Sequence, residues 1–226
     1  MGRRTESLSL AGPAGALEAR LDWPEGAPRG AALVCHPHPQ HGGSMHTKAV
    51  HRVARALVKA GLVTLRFNFR GVGRSAGSWS GGDGEYEDAA LALEEASRRR
   101  GGGALVLGGF SFGARIALQL GAEQGGALDG TALLGVAPAL LHSDFGFLTG
   151  TATPVLLVAG DADPYCPVPA LAALQQQLGQ HARMTILPGA GHLLLERLDE
   201  LEETVLQFVL PHLAPGDTPP APRTPA

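Results

Sequence analysis

The sequence predicts an α/β fold, with a mostly parallel central sheet of about eight strands and helices on both faces. Three observations carry that prediction. Short apolar runs of strand length recur: AALVC at 31–35, LVTLRF at 62–67, ALVL at 104–107, GTALLGV at 130–136, PVLLVA at 154–159 and MTIL at 184–187. Amphipathic stretches of helical period separate most of them, and wholly apolar strands alternating with helices specify a parallel sheet buried on both faces. The polar, Gly- and Pro-rich segments follow the strands, where a parallel sheet gathers its ligand-binding loops.

In chain order, Ser7–Leu10 and Ala16–Asp22 alternate weakly about AGPAG and predict an antiparallel hairpin at one edge. After the 31–35 strand comes the loop HPHPQHGGSMH. A helix follows from about Thr47 to Ala60, with Val50, Val53, Ala54, Leu57 and Val58 on its apolar face and Gly61 as its stop. The 62–67 strand leads into NFRGVGRSAGSWSGGDG and then a helix from about Gly84 to Arg99. The acids Asp83, Glu85 and Glu87 suit that helix's positive N-terminus. The 104–107 strand turns a corner at Gly108–Gly113 into a helix from about Ala114. Further helices are expected at about 168–178 and 194–213. The segment 137–153 is too short for a helical lid.

Composition bounds the rest. The chain has 226 residues with 44% hydrophobic content, which fits one domain over 1–213 and an ample core. The Pro- and Ala-rich tail at 214–226 is expected to be disordered. A formal net charge of −3 offers no broad basic surface for nucleic acid. The N-terminus lacks an apolar leader core, and no run reaches membrane-spanning length. Cys35 and Cys166 are read as two free thiols in a reducing cytosol. A monomer or homodimer without a membrane or nucleic-acid partner is the expectation.

The chemistry centres on Gly109-Phe110-Ser111-Phe112-Gly113. Strand, Gly-x-Ser-x-Gly and helix form the context of a nucleophile elbow, in which a serine sits at the apex of a strained turn. The flanking glycines are needed because those positions crowd each other. With 32 glycines in the chain, such a pattern also arises by chance. Gly73-Arg74-Ser75-Ala76-Gly77 matches it too, but loop follows rather than helix. Two later strand ends carry polar groups: Asp161 or Asp163 in GDADPYCP, and His192 in PGAGH. The order nucleophile, acid, histidine supplies each chemical role. His192 would take the Ser111 proton and return it to the leaving group, and the acid would hold the imidazole tautomer. The Phe112 N–H, at the helix start, would be one oxyanion donor.

The five histidines His36, His38, His41, His46 and His51 suggest a metal at first sight. No carboxylate or cysteine accompanies them at ligand spacing, so no metal is assigned. Gly71-Val72-Gly73 does not complete a dinucleotide fingerprint. Arg66, Asn68 and Arg70 are read as a structural loop held by arginine bonds to carbonyls. Phe110 and Phe112 are read as packing residues and Cys166 as a bystander.

HPHPQHGGSMHTKAV (36–50), TLRFNFRGVGRSAGSW (64–79), GGFSFGARIA (108–117), GDADPYCP and PGAGH together resemble the α/β-hydrolase superfamily. The nearest likeness is to small, lidless bacterial serine hydrolases related to dienelactone hydrolases. That resemblance covers 31 to about 213. It implies the α/β-hydrolase fold, a Ser111–His192–acid triad and esterase-like activity without a cofactor. The family's spacing from a strand-ending glycine and to a following proline selects Asp163 over Asp161. Pro37 and Pro39 carry no N–H, so the second oxyanion donor is His38 or Gln40, and the geometry that the resemblance implies puts His38 first and Gln40 as the alternative. The expected substrates are small carboxylic esters with short chains. The alternatives are thioester or peptide cleavage on the same triad, or an idle hydrolase-fold binding protein.

Overall fold

The computed structural model describes residues 4–124 and 131–213. The strands are β1 (Thr5–Gly12), β2 (Gly15–Asp22), β3 (Gly30–Cys35), β4 (Leu62–Phe67), β5 (Ala104–Phe110), β6 (Thr131–Val136), β7 (Val155–Gly160) and β8 (Ala182–Leu187). The helices are α1 (Lys48–Lys59), α2 (Asp83–Arg99), α3 (Phe112–Gln124), α4 (Val168–Leu178) and α5 (Leu198–Val209). One eight-stranded sheet runs β1-β2-β4-β3-β5-β6-β7-β8. β1 pairs antiparallel with β2, and β2 with β4; every other pairing is parallel.

The apolar runs explain the layering. β3, β4, β5, β6 and β7 are buried along their whole length. Alternate residues of one strand enter opposite cores, as the two-residue period requires. On β3, Ala31, Leu33 and Cys35 join α2, α3 and α4, while Ala32 and Val34 join α1 and α5. α1 and α5 are also tied by charge. Glu202, almost wholly buried, meets Arg52 at 3.0 Å and Lys59 at 2.5 Å.

The element ends differ from the sequence reading for identifiable reasons. β5 runs on through Gly108 and Gly109 to Phe110, because Gly109 and Phe110 still pair with Gly135 and Val136 of β6. The hairpin strands are longer than read and close at Gly12 opposite Gly15, where Gly15 has φ 112°. The last helix is shorter. Leu194 has φ 53° and a 3₁₀ turn at Leu195–Arg197 precedes α5; Pro211, which lacks an N–H, falls in the 3₁₀ turn Leu210–His212 behind it. α2 starts at Asp83. Its buried Glu85 accepts from the Gly82 N–H at 2.8 Å, so this acid caps the helix as well as facing its dipole. No lid intervenes between β6 and β7. The segment there is anchored by buried Phe145 and Leu148. Gly130 and the tail at 214–226 lie outside the described residues.

Two arginines, Arg66 inside β4 and Arg70 in the loop after it, also differ from their reading. Arg66 donates to the Met45 carbonyl at 2.8 Å, but both it and Arg70 chiefly bind carboxylates. Arg66 Nη2 meets Asp22 at 2.6 Å. Arg70 meets fully buried Asp88 through its backbone N–H, Nε and Nη2 at 2.9, 3.0 and 2.8 Å.

Candidate active site

The loops after β3, β4, β5, β6, β7 and β8 converge at the carboxyl edge of the sheet. Ser111 lies at the tip of β5 with φ 55°, one of three non-glycine residues at positive φ among those described. The turn is tight. A Cβ on Gly109 would stand 2.0 Å from the Gly113 carbonyl oxygen, and one on Gly113 would stand 2.3 Å from that of His36. The first contact closes the corner, and the second lets the start of α3 settle on the end of β3. The Ser111 N–H donates to the Val136 carbonyl at 2.9 Å. The Phe112 N–H, first of α3, has no acceptor within its helix.

His192 and Asp163 arrive from β8 and β7. His192 Nε2 is 3.0 Å from Ser111 Oγ, and His192 Nδ1 is 2.8 Å from Asp163 Oδ2. Asp163 is 4% exposed. Its other oxygen, Oδ1, accepts from the N–H groups of Tyr165 and Cys166 at 2.8 and 3.2 Å. The two loops are laced together. The Ala162 N–H donates to the Ala190 carbonyl at 3.1 Å, and the Gly189 N–H to Asp161 Oδ1 at 2.7 Å. Asp161 is therefore a loop tie, and it is Asp163 that touches the imidazole. The arrangement can move a proton between a serine oxygen and a histidine whose tautomer is fixed by a carboxylate.

The loop after β3 positions the remaining pieces. His36 is fully buried; its Nδ1 side faces the Pro37 carbonyl at 2.6 Å, and its Nε2 accepts from the Phe69 N–H at 3.0 Å. Burial holds its imidazole at about 4, against an ordinary 6.5. The unfolded chain thus takes up a proton near pH 6.5 that the folded state refuses. Stability from the neutral ring is complete above that pH and declines as pH falls toward 4, by on the order of 3 kcal/mol in total. Urea midpoints are expected to drop across this interval, and a His36→Gln variant should show a flatter profile. An identical pH profile in the variant would remove His36 from the account.

His38 caps the turn Pro39–His41. Its Nδ1 accepts from the Gln40 N–H at 3.2 Å, and its carbonyl accepts from His41 and Gly43. The Gln40 amide is thus already engaged, while the turn uses only the ring and carbonyl of His38. The histidines separate into different neighbourhoods: His36 in the core, His38 and His41 stacked at 4.4 Å beside Ser111, and His46 and His51 lining a different cavity. Among the described residues no three His, Cys, Asp or Glu side chains gather at metal-binding range.

Ser75, in the second Gly-x-Ser-x-Gly, is a structural hydroxyl. It donates to the Asn68 carbonyl at 2.7 Å and accepts from the Glu18 N–H at 2.9 Å. Cys35 and Cys166 are free and buried. Burial, with Asp163 adding to it, pushes the Cys166 thiol up to about 12, so it stays protonated beside the acid loop.

Ser111 and His192 open onto a groove of about 1130 Å³. Phe110, 5.4 Å from the His192 ring, is a core residue that also reaches the groove, and half-buried Phe112 forms part of its wall. There it meets Trp79 at 5.2 Å and His38 at 5.3 Å. Tyr165, 4.7 Å from His192, and His142 stand on another side. Sequence reading missed Trp79, Tyr165 and His142. Trp79 and Tyr165 lie inside the matched segments, whereas nothing in 137–153 marks His142.

Residues 27–148 match the family model for serine aminopeptidases (S33), and 90–209 match that for phospholipases and carboxylesterases. The chain belongs to the α/β-hydrolase superfamily. An uncharacterized protein of Rickettsia prowazekii is 32% identical to this hydrolase, over 88% of this chain and 86% of the relative. Among solved structures, an α/β serine hydrolase homologue from Coxiella burnetii is 37% identical, covering 89% of this chain and 96% of its own, with a TM-score of 0.82. A serine hydrolase without a lid from Xanthomonas campestris is 33% identical over 100% of this chain and 99% of its own, with a TM-score of 0.83. No helix among the described residues is long and apolar enough to cross a membrane.

Proposed function

We propose that this hydrolase cleaves small carboxylic esters through an acyl-enzyme intermediate on Ser111. The observation that carries the reading is the continuous hydrogen-bonded chain from Asp163 through His192 to Ser111 at the floor of an open groove. Ser111 Oγ attacks the ester carbonyl as His192 Nε2 takes its proton. The proton then passes to the departing alkoxide, which leaves as the alcohol. Water attacks the acyl-enzyme by the reverse use of the same histidine, releasing the acid and restoring Ser111. Asp163 holds the imidazole and stabilises its protonated form. The Phe112 and His38 amides serve the oxyanion, and the local use of the Gln40 amide supports His38 over Gln40. The reaction consumes only ester and water. Two buried free thiols suit a reducing compartment such as the cytoplasm.

The serine-aminopeptidase match favours a second reading, in which the same serine cleaves peptide bonds. A panel of p-nitrophenyl acetate and butyrate, an acyl thioester and an aminoacyl p-nitroanilide separates these readings. We expect ester turnover together with fluorophosphonate labelling of Ser111. Background rates on every ester, with no serine labelled, would sink the proposal.

The rings beside Ser111 favour substrates with a planar group. Trp79→Ala is expected to lower kcat/KM for phenyl acetate by roughly three- to tenfold, because one aromatic contact is worth about 0.5–1.5 kcal/mol. The rate on ethyl acetate should hardly change. An unaltered ratio between the two substrates would show that Trp79 does not contact the substrate.

A further inference from the structure

A second cavity, of about 380 Å³, lies between β2, β4 and α1 and shares no lining residue with the Ser111 groove. Three guanidinium groups line it, from Arg20, Arg55 and Arg66, together with the imidazoles of His46 and His51. We propose that it binds a small soluble phosphate monoester.

The charge count points that way. The carboxylate in the cavity wall, Asp22, is held by Arg66 at 2.6 Å and by Thr5 Oγ1 at 3.0 Å, and lies 3.7 Å from Arg20 Nε. Arg66 is 3% exposed and is fixed a second time by the Met45 carbonyl. Arg55 Nε stands 3.0 Å from Glu202 Oε1, but Glu202 also serves Lys59 and shares Arg52 with the exposed Asp199, so two negative charges are divided among three cations. Positive charge is left over in a chain whose formal net charge is −3. Arg20 Nε is buried with no acceptor at hydrogen-bond distance among the described residues, and Arg55 Nε has only its ion pair with Glu202, without an aligned hydrogen bond; buried donors of that kind call for a partner.

Guanidinium groups from separate elements suit a tetrahedral dianion with three outer oxygens better than a planar carboxylate, which one arginine can satisfy. The volume exceeds that of a bare phosphate. Ala54, Val58 and Thr5 provide wall for the esterified part.

The test is calorimetric titration of the full chain, at fixed ionic strength, with glycerol 3-phosphate, with glycerol and with phosphatidic-acid vesicles. Glycerol 3-phosphate is expected to bind one site per chain and glycerol to give no heat. Arg20→Gln and Arg55→Gln should each weaken binding roughly tenfold or more, with Ser111-dependent ester turnover preserved. Arg55→Gln also touches the α1–α5 contact, so Arg20→Gln, at the sheet rim, gives the cleaner reading if the former loses its fold. Absence of binding by glycerol 3-phosphate, equal affinity in a folded Arg20→Gln chain, or binding confined to the vesicles would each overturn the proposal.

Discussion

A Ser111→Ala chain is expected to lose ester turnover by roughly ten-thousand-fold or more while keeping its fold. In the proposed reaction the hydroxyl oxygen bonds to the acyl group, and His192 alone has nothing to deprotonate. Alanine at this position inherits the same φ of 55°, so the turn is no more strained than before. A Ser111→Ala/His192→Ala double variant should be no worse than the single one, because groups acting as one unit do not add. Initial rates with p-nitrophenyl acetate and a circular dichroism melt measure both halves of the expectation. Activity within tenfold of the parent, in a folded variant, would move the chemistry away from Ser111.

The largest loss of stability is expected from Asp88→Ala. Asp88 is fully buried on α2 and receives three donors from Arg70, which is itself 8% exposed. Removing the carboxylate leaves a buried guanidinium beside an empty space, with only the exposed Glu87 carboxylate, 3.2 Å from Nη2, to face it. Breaking one half of such a pair costs about 3–5 kcal/mol. For a chain of this size that corresponds to a melting temperature lower by roughly 10 °C. Replacing both partners with apolar residues, as in Arg70→Met/Asp88→Leu, should recover much of the loss, since no charge then stays buried alone. A single variant that melts with the parent would show that water reaches the site and takes over from the carboxylate. Arg70 also anchors the loop that carries Trp79, so Asp88→Ala should weaken the proposed preference for aryl esters along with stability.

What could be read from the residues follows from how each contact is encoded. The parallel strands were legible because a strand buried on both faces must be apolar throughout, as in GAALVC and VLLVAG. Ser111 stood apart from Ser75 because only the former is followed by a helix; their different hydrogen-bond partners needed coordinates. His192 was legible through its place after β8, whereas the place after β7 left Asp161 and Asp163 open and only the resemblance to the family's spacing chose between them. The groove walls were not. Trp79, Tyr165 and His142 come from three loops whose spatial order depends on side-chain packing, and a lone ring in a loop carries no period. The Arg70–Asp88 pair was hidden for a related reason: it joins a loop to a helix, and charge alone does not say which carboxylate an arginine will meet.

Asp163 holds a further consequence. One of its oxygens takes two backbone amides and the other takes the imidazole, so the carboxylate is fixed from both ends before any substrate arrives. In the proposed reaction His192 becomes positively charged partway through. In water such a charge appears only after neighbouring dipoles have swung round to meet it. Here the opposing charge already points along the right bond, so that reorganisation is completed when the chain folds and is not repeated at each turnover.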